Sequence, residues 1–158
     1  APSLAALRLA GEDGRALAER LRERHPAAQR MVLEAADVIL RDIEVESHCE
    51  HHLAPFLGKA YVAYLPGEKV VGISKLARVV EIYARRLQNQ ETLTNDIVAA
   101  IESHLQPRGV AVLVDAAHQC MTTRGVHHRH VSTLTTRFTG AFKADPQLAD
   151  RFLKLARG

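Results

Sequence analysis

Ile43-Glu44-Val45-Glu46 alternates apolar and acidic side chains and then runs directly into Ser47-His48-Cys49-Glu50-His51-His52. A period of two is the pattern of a half-buried strand, because successive side chains point to opposite faces of a sheet. Lys59 to Leu65 reads as a second strand, Pro66-Gly67 as a turn, and Val70 to Ile73 as a short return strand. Ser74 stands where it would cap a helix whose apolar stripe is Leu76, Val79, Val80 and Tyr83. The next helix carries Leu93, Ile97, Ile101 and Leu105 at four-residue intervals and is stopped by Pro107 and Gly109. Gly109 to Ala116 and the threonine-rich Val131 to Phe142 read as strands, and Leu148 to Ala156 as a closing helix. Upstream, a short helix before Pro26 and another from about 27 to 37 are expected, with Gly11 and Gly14 interrupting the first stretch. This order predicts an α+β domain built on an antiparallel sheet.

The composition fits a folded domain of ordinary character. Of 158 residues, 47% are hydrophobic and 25% charged, which excludes a disordered chain, and no Pro/Gly/Ser-rich linker argues for two domains. The net charge of +3 is mild and would suit an anionic small molecule or nucleic acid, and only local clustering of charge decides between them. With no Trp, three Tyr and four Phe, the chain lacks the aromatic platforms of a single-strand-binding surface, so no nucleic-acid partner is expected. No apolar stretch approaches the roughly 20 residues that span a bilayer, and the first residues show no charged-then-apolar signal pattern. No membrane partner is expected. Cytoplasm is the expected compartment, because thiolates committed to a metal suit a reducing environment.

The chain has two cysteines and sets each beside histidine, in Cys49-Glu50-His51-His52 and in His118-Gln119-Cys120. Buried thiols or a disulfide between them would be the bland readings, since free cysteine is among the most buried residue types. The flanking histidines favour a metal. Cys49 and His52 have the C-x-x-H spacing that lets one turn offer two ligands, and Cys120 would bring the third. Zn²⁺ favours thiolate and imidazole, and its catalytic sites keep three protein ligands with a water in the fourth position. His51 and His118 are then left for acid–base work, because an imidazole titrates near neutral pH. If the segment ending at Cys120 is extended, His118 and Cys120 share one face. A closed structural site would need a fourth ligand, which His48 or His118 could supply.

Four motifs stand out: Ser47-His48-Cys49-Glu50-His51-His52-Leu53-Ala54-Pro55-Phe56, Gly72-Ile73-Ser74-Lys75-Leu76-Ala77-Arg78, Gln88-Asn89-Gln90-Glu91, and His118-Gln119-Cys120-Met121-Thr122-Thr123-Arg124-Gly125. In this order and spacing they resemble those of the GTP cyclohydrolase I family. The resemblance covers about residues 42 to 157 and implies a tunnelling fold (T-fold), an antiparallel sheet with helices packed on one side and N-terminal helices added. It divides the chain into an N-terminal helical segment, 1–40, and a catalytic domain, 41–158. It implies Zn²⁺ held by Cys49, His52 and Cys120, with His51 and His118 as catalytic histidines. Gln90 and Glu91 would meet the guanine's N–H edge, Glu91 as a pure acceptor. Ser74, Lys75, Arg78 and Arg124 would line the triphosphate pocket, where cations and the orphan N–H groups of a helix start suit phosphate. The implied reaction opens the imidazole ring of GTP at C8, with His118 giving a proton to N7. Formate leaves, and rearrangement yields 7,8-dihydroneopterin triphosphate; Ser74, Lys75 and His51 are the candidates for these later steps. The implied assembly is a toroidal homodecamer with active sites between subunits.

The sequence departs from the family pattern upstream, where only Gly11-Glu12-Asp13 and Arg15 echo an acidic-Pro-x-Arg-x-Gly-Leu segment and no Thr-Pro pair occurs. His48 stands where the family more often has an apolar residue, and Val126-His127-His128-Arg129-His130 reads as a solvated loop, with extra phosphate contacts or adventitious metal binding as the other readings. Three alternatives frame the expectation. A zinc base deaminase would match His48-Cys49-Glu50 to H-x-E but then requires Pro-Cys-x-x-Cys, which Gln119-Cys120 does not supply. A paralogue would release a formamidopyrimidine or accept another purine. A catalytically silent zinc-containing binding protein would keep the metal for structure alone.

Overall fold

The computed structural model describes residues 37–157, so the helices expected before residue 37 lie outside the described residues. Strand β1 (Val38–Cys49) buries Ile43, Val45, Ser47 and Cys49 and exposes Glu44, Glu46 and His48, as its alternation demands. It is interrupted between Leu40 and Ile43 by a register shift, where Asp42 takes a left-handed backbone with φ 57°. Strand β2 (Ala54–Leu65) returns antiparallel to β1, from Cys49 against Ala54 to Val38 against Tyr64.

The return strand expected at Val70 to Ile73 is absent, and helix α1 (Ile73–Ala84) begins there instead. Both edges of β2 are already taken, by β1 and by β4 (Gly109–His118), so the segment after Pro66 has no ladder to join. The cap of α1 is Gly72 rather than Ser74, and no side chain caps it. Its buried stripe is Leu76, Val80 and Ala84. The two-residue strand β3 (Leu87–Gln88) then lies parallel to β1 at His48 and Cys49. Buried Gln88 holds it there, with Nε2 donating to Ser47 Oγ at 3.0 Å and to the Tyr83 carbonyl at 2.6 Å.

Helix α2 (Gln90–Leu105) starts at Asn89, whose side chain accepts from the Thr92 N–H at 2.7 Å. It buries Leu93, Ile97 and Ile101, the stripe legible in sequence, and ends at Gln106 with φ 49°. Strand β4 pairs with β2 from Leu65 against Gly109 to Phe56 against His118. After the short helix α3 (Gln119–Thr122) comes edge strand β5 (Thr133–Phe138), paired antiparallel with β4. It is shorter than the expected Val131 to Phe142 strand, because Gly140–Ala144 forms helix α4 and Pro146–Arg157 helix α5.

The strand order is β3-β1-β2-β4-β5, antiparallel except for β3. Helices α1 and α2 cover one face, burying Val45, Phe56, Val62, Leu76, Leu93, Ile97, Val112 and Val114. The closing helices add a smaller second layer, with Phe142 and Phe152 packed on Ala63, Leu65, Ala111 and Leu113. This second layer explains why Gly109 to Val114 is buried at every position: a strand covered on both faces reads as a continuous apolar run. The α+β tunnelling-fold architecture expected from the motifs is observed, with two differences: β3 makes the sheet mixed, and the closing helices cover the second face where helices on one side were expected.

Candidate metal centre and its surroundings

Cys49 is the last residue of β1, and the turn Glu50 to Leu53 reverses the chain into β2. The Leu53 N–H donates to the Cys49 carbonyl at 2.8 Å, with Leu53 at φ 50°. This turn sets His52 Nδ1 3.7 Å from Cys49 Sγ. On the opposite side, β4 ends at His118, and the single helical turn of α3 swings Cys120 back toward it. The convergence therefore comes from a strand-to-helix turn and not from the shared strand face expected for His118 and Cys120. One ligand atom each from Cys49, His118 and Cys120 lie within 4.8 Å of one another. Both cysteines are free thiols.

These donors fit a zinc-sized ion. Zn–S bonds of about 2.3 Å and Zn–N bonds of about 2.0–2.1 Å put tetrahedral donors roughly 3.5–4 Å apart, a separation that the 4.8 Å bound on these three atoms accommodates. Burial pushes the Cys120 thiol above its ordinary range, and the neighbouring Cys49 pushes it further. Two sulfurs this close repel one another as thiolates, and a divalent cation between them removes that penalty. Burial also holds His118 below the usual imidazole range; Glu91 opposes this shift and His52 adds to it. Cys49, His118 and Cys120 thus form a candidate metal site consistent with zinc. His52, the imidazole read from the C-x-x-H spacing, lies against Cys49 at its rim.

Several expected site residues gather around this centre. Glu91 lies exposed in the first turn of α2, near enough to act on His118, and His51 is exposed beside Glu50 at 3.9 Å. Asn89 ties Glu50 to the start of α2 with a 3.0 Å hydrogen bond. Arg124 donates to the His52 carbonyl and lowers the Cys120 thiol somewhat through its charge. Gln90 is different: it is 1% exposed, and its carboxamide is spent inside the protein.

Ser74, Lys75 and Arg78 belong to another part of the surface. All three are exposed on the first turns of α1, and Ser74 and Arg78 line a groove of about 590 Å³ against the β1 residues Arg41, Asp42, Glu44 and Glu46. The last turn of α1, about 15 Å of helix further on, is the part that reaches the Cys49 end of β1. Within one chain, the residues proposed for phosphate and those around the thiols are therefore spread along the strand. The His127 to His130 loop is exposed and contributes to no metal-sized group among the described residues.

Two contributors were not singled out for what they do. Phe56 is fully buried and stacks on the His118 ring, centroids 4.7 Å apart and planes 11° apart. Gln90 accepts from or donates to four partners at once. An amide one residue past a helix cap, opposite a threonine-rich strand, is the pattern that could have flagged a buried polar seam.

Comparison with known proteins agrees with the motifs. Residues 14–157 match the sequence model of the family described as GTP cyclohydrolase I. The chain is 65% identical over 118 residues to GTP cyclohydrolase 1 of Hyphomonas neptunium, an alignment covering 75% of this chain and 57% of that protein. It is likewise 65% identical over 118 residues to GTP cyclohydrolase 1 of Maricaulis maris, covering 75% of this chain and 58% of the relative. The chain thus spans somewhat more than half the length of these relatives. The crystal structure of an archaeosine synthase QueF-Like in the apo form shares the fold, with a TM-score of 0.54 at 21% identity over 68% of this chain and 96% of that one. Four motifs in register and a match reaching from residue 14 to residue 157 leave one assignment: the chain belongs to the GTP cyclohydrolase I family.

Proposed function

We propose that this chain is a GTP cyclohydrolase I, opening the imidazole ring of GTP at C8 with release of formate and rearrangement to 7,8-dihydroneopterin triphosphate. The observation that carries this reading is the meeting of two free thiols and an imidazole from motifs far apart in sequence, with Glu91 and Arg124 beside them. Cys49 and Cys120, with His118 or His52 as the imidazole, would hold Zn²⁺. When bound, such an ion lowers the pKa of water toward about 7 and polarises the bond to be cleaved. Glu91, an acceptor at a helix start, suits the guanine N–H edge. Arg124 offers a planar fork for a phosphate. His118 and His51 are the groups able to move protons at the purine and the opened ribose.

The spread of Ser74, Lys75 and Arg78 away from the thiols supports a site completed by a neighbouring subunit. Edge strand β5 and the exposed Leu53, Leu57 and Leu134 are surfaces that an assembly would cover. A homodecamer with active sites between subunits is the assembly we infer, in the cytoplasm. No helix among the described residues is long and apolar enough to cross a membrane. Incubation of zinc-loaded protein with GTP tests the reading. Formate with a pterin-type absorbance is the expected result. A formamidopyrimidine alone would mark an arrested paralogue, ammonia a deaminase, and no reaction a silent binding protein.

A further inference from the structure

Gln90 sits with both ends of its carboxamide engaged, and the partners fix which end is which. One end lies 3.0 Å from the Val114 carbonyl and 2.8 Å from the Thr133 carbonyl, with Thr135 Oγ1 at 3.2 Å. Two carbonyl oxygens can only accept, so this end must be the NH₂ group. The other end is then the carboxamide oxygen, which cannot donate. It lies 2.9 Å from His118 Nε2. Thr94, bonded to Thr135 at 2.7 Å, completes the polar seam between α2 and β5 that keeps the amide from turning over.

We propose that Gln90 is a positioning residue that fixes the tautomer of His118, holding the proton on Nε2 and leaving the ring's lone pair on Nδ1. An acceptor that cannot become a donor requires N–H at Nε2. Nδ1 then becomes the one atom of His118 able to bind a metal ion or to take up and return a proton. Phe56 fixes the plane of the ring by stacking, and Gln90 fixes its rotation within that plane. Orientation of an imidazole through its second nitrogen is worth about 10–100-fold in metal affinity or activity where it supports a metal site. Gln90 itself, 1% exposed, acts through His118 rather than on the purine. The tautomer follows from the hydrogen bonds alone; its consequence for turnover rests on the cyclohydrolase reading.

The test uses the full chain labelled with ¹⁵N in histidine, metal-free and zinc-loaded, at a pH where His118 is neutral. Long-range ¹H–¹⁵N correlation should show His118 protonated at Nε2, with that proton protected from solvent exchange. In Gln90→Met the protection should vanish and Nδ1–H should appear. Zinc affinity or kcat should fall about 10–100-fold, while KM for GTP stays within about twofold. Protonation of wild-type His118 at Nδ1, or a freely exchanging Nε2 proton, overturns the proposal, and neither measurement depends on the variant's folding. So does a variant with unchanged ring proton and a raised KM, which would make Gln90 a substrate contact. If wild-type protein shows the Nε2 proton but no turnover of GTP, the cyclohydrolase reading fails and the tautomer assignment stands.

Discussion

At one end of the β2–β4 ladder, Ala63, Leu65, Ala111 and Leu113 pack under Phe142 and Phe152; at the other, Phe56 stacks on His118 beside two thiols. The same two strands supply both ends, in one unbroken register from Leu65 against Gly109 to Phe56 against His118. Where helices cover both faces, the strand residues are fully buried and apolar, and their contribution is packing. Where the second layer stops, half-buried polar groups appear: His118 is held by Gln90, whereas one buried carboxylate oxygen of Asp115 has no hydrogen-bond partner among the described residues. The ladder therefore separates stability from chemistry by distance along a rigid element, which is how a site is held to geometry while its surroundings stay open to substrate.

The largest effect that would break this comparison is expected at the packed end. Phe152→Ala empties a fully buried ring site and should destabilise the domain by about 3–5 kcal/mol. Chemical denaturation would measure it, and the molecules still folded should retain metal as the wild type does. Loss of metal from folded Phe152→Ala would mean the two ends are not separable. Gly58 sits between them. A β-carbon there would collide with the Asp115 carbonyl oxygen and the Ala116 backbone, so Gly58→Ala should cost about 1–3 kcal/mol and weaken metal retention as well. A variant with lowered stability and unchanged metal binding would show that strain at Gly58 does not travel as far as His118.

The smallest effect lies at the far edge, where Lys59 donates to Asp42 at 2.8 Å across the β1 irregularity. The Lys59 hydrogen bond holds the Asp42 carboxyl below its usual range, and the same bond holds the Lys59 ammonium above its own. A depressed carboxyl stabilises the fold above its unfolded value and loses that contribution as pH falls through the folded one. A raised ammonium keeps its contribution until pH rises through its folded value. Asp42→Asn, which tolerates the left-handed backbone, should thus lower Tm slightly between about pH 4 and pH 10. The difference should disappear in acid. A Tm gap that persists at pH 2 would assign it to the backbone instead.

How much of this was legible beforehand follows from the kind of force involved. Strand β1, the Leu93 to Ile101 stripe of α2 and the closing helix were readable because each carries its own periodicity. The thiol pair was readable as chemistry because residue type limits what cysteine beside histidine can do. Three features were not. The strand expected at Val70 to Ile73 failed because pairing depends on which sheet edges are free, and the local pattern holds no record of that. The cap falls not at Ser74 but at Gly72, an extended residue with no side chain to mark it in the sequence. The engagement of Gln90 with His118, Val114 and Thr133 joins three distant segments, and only the folded register brings them together.

On the proposed reading, Cys49 and Cys120, with an imidazole, hold one divalent cation on which turnover of GTP depends. Zinc content per chain, measured by elemental analysis alongside formate release for the wild type and Cys120→Ala, tests it most directly. About one zinc per wild-type chain is expected, with loss of metal and activity together in the variant. Full activity in metal-free Cys120→Ala would contradict it.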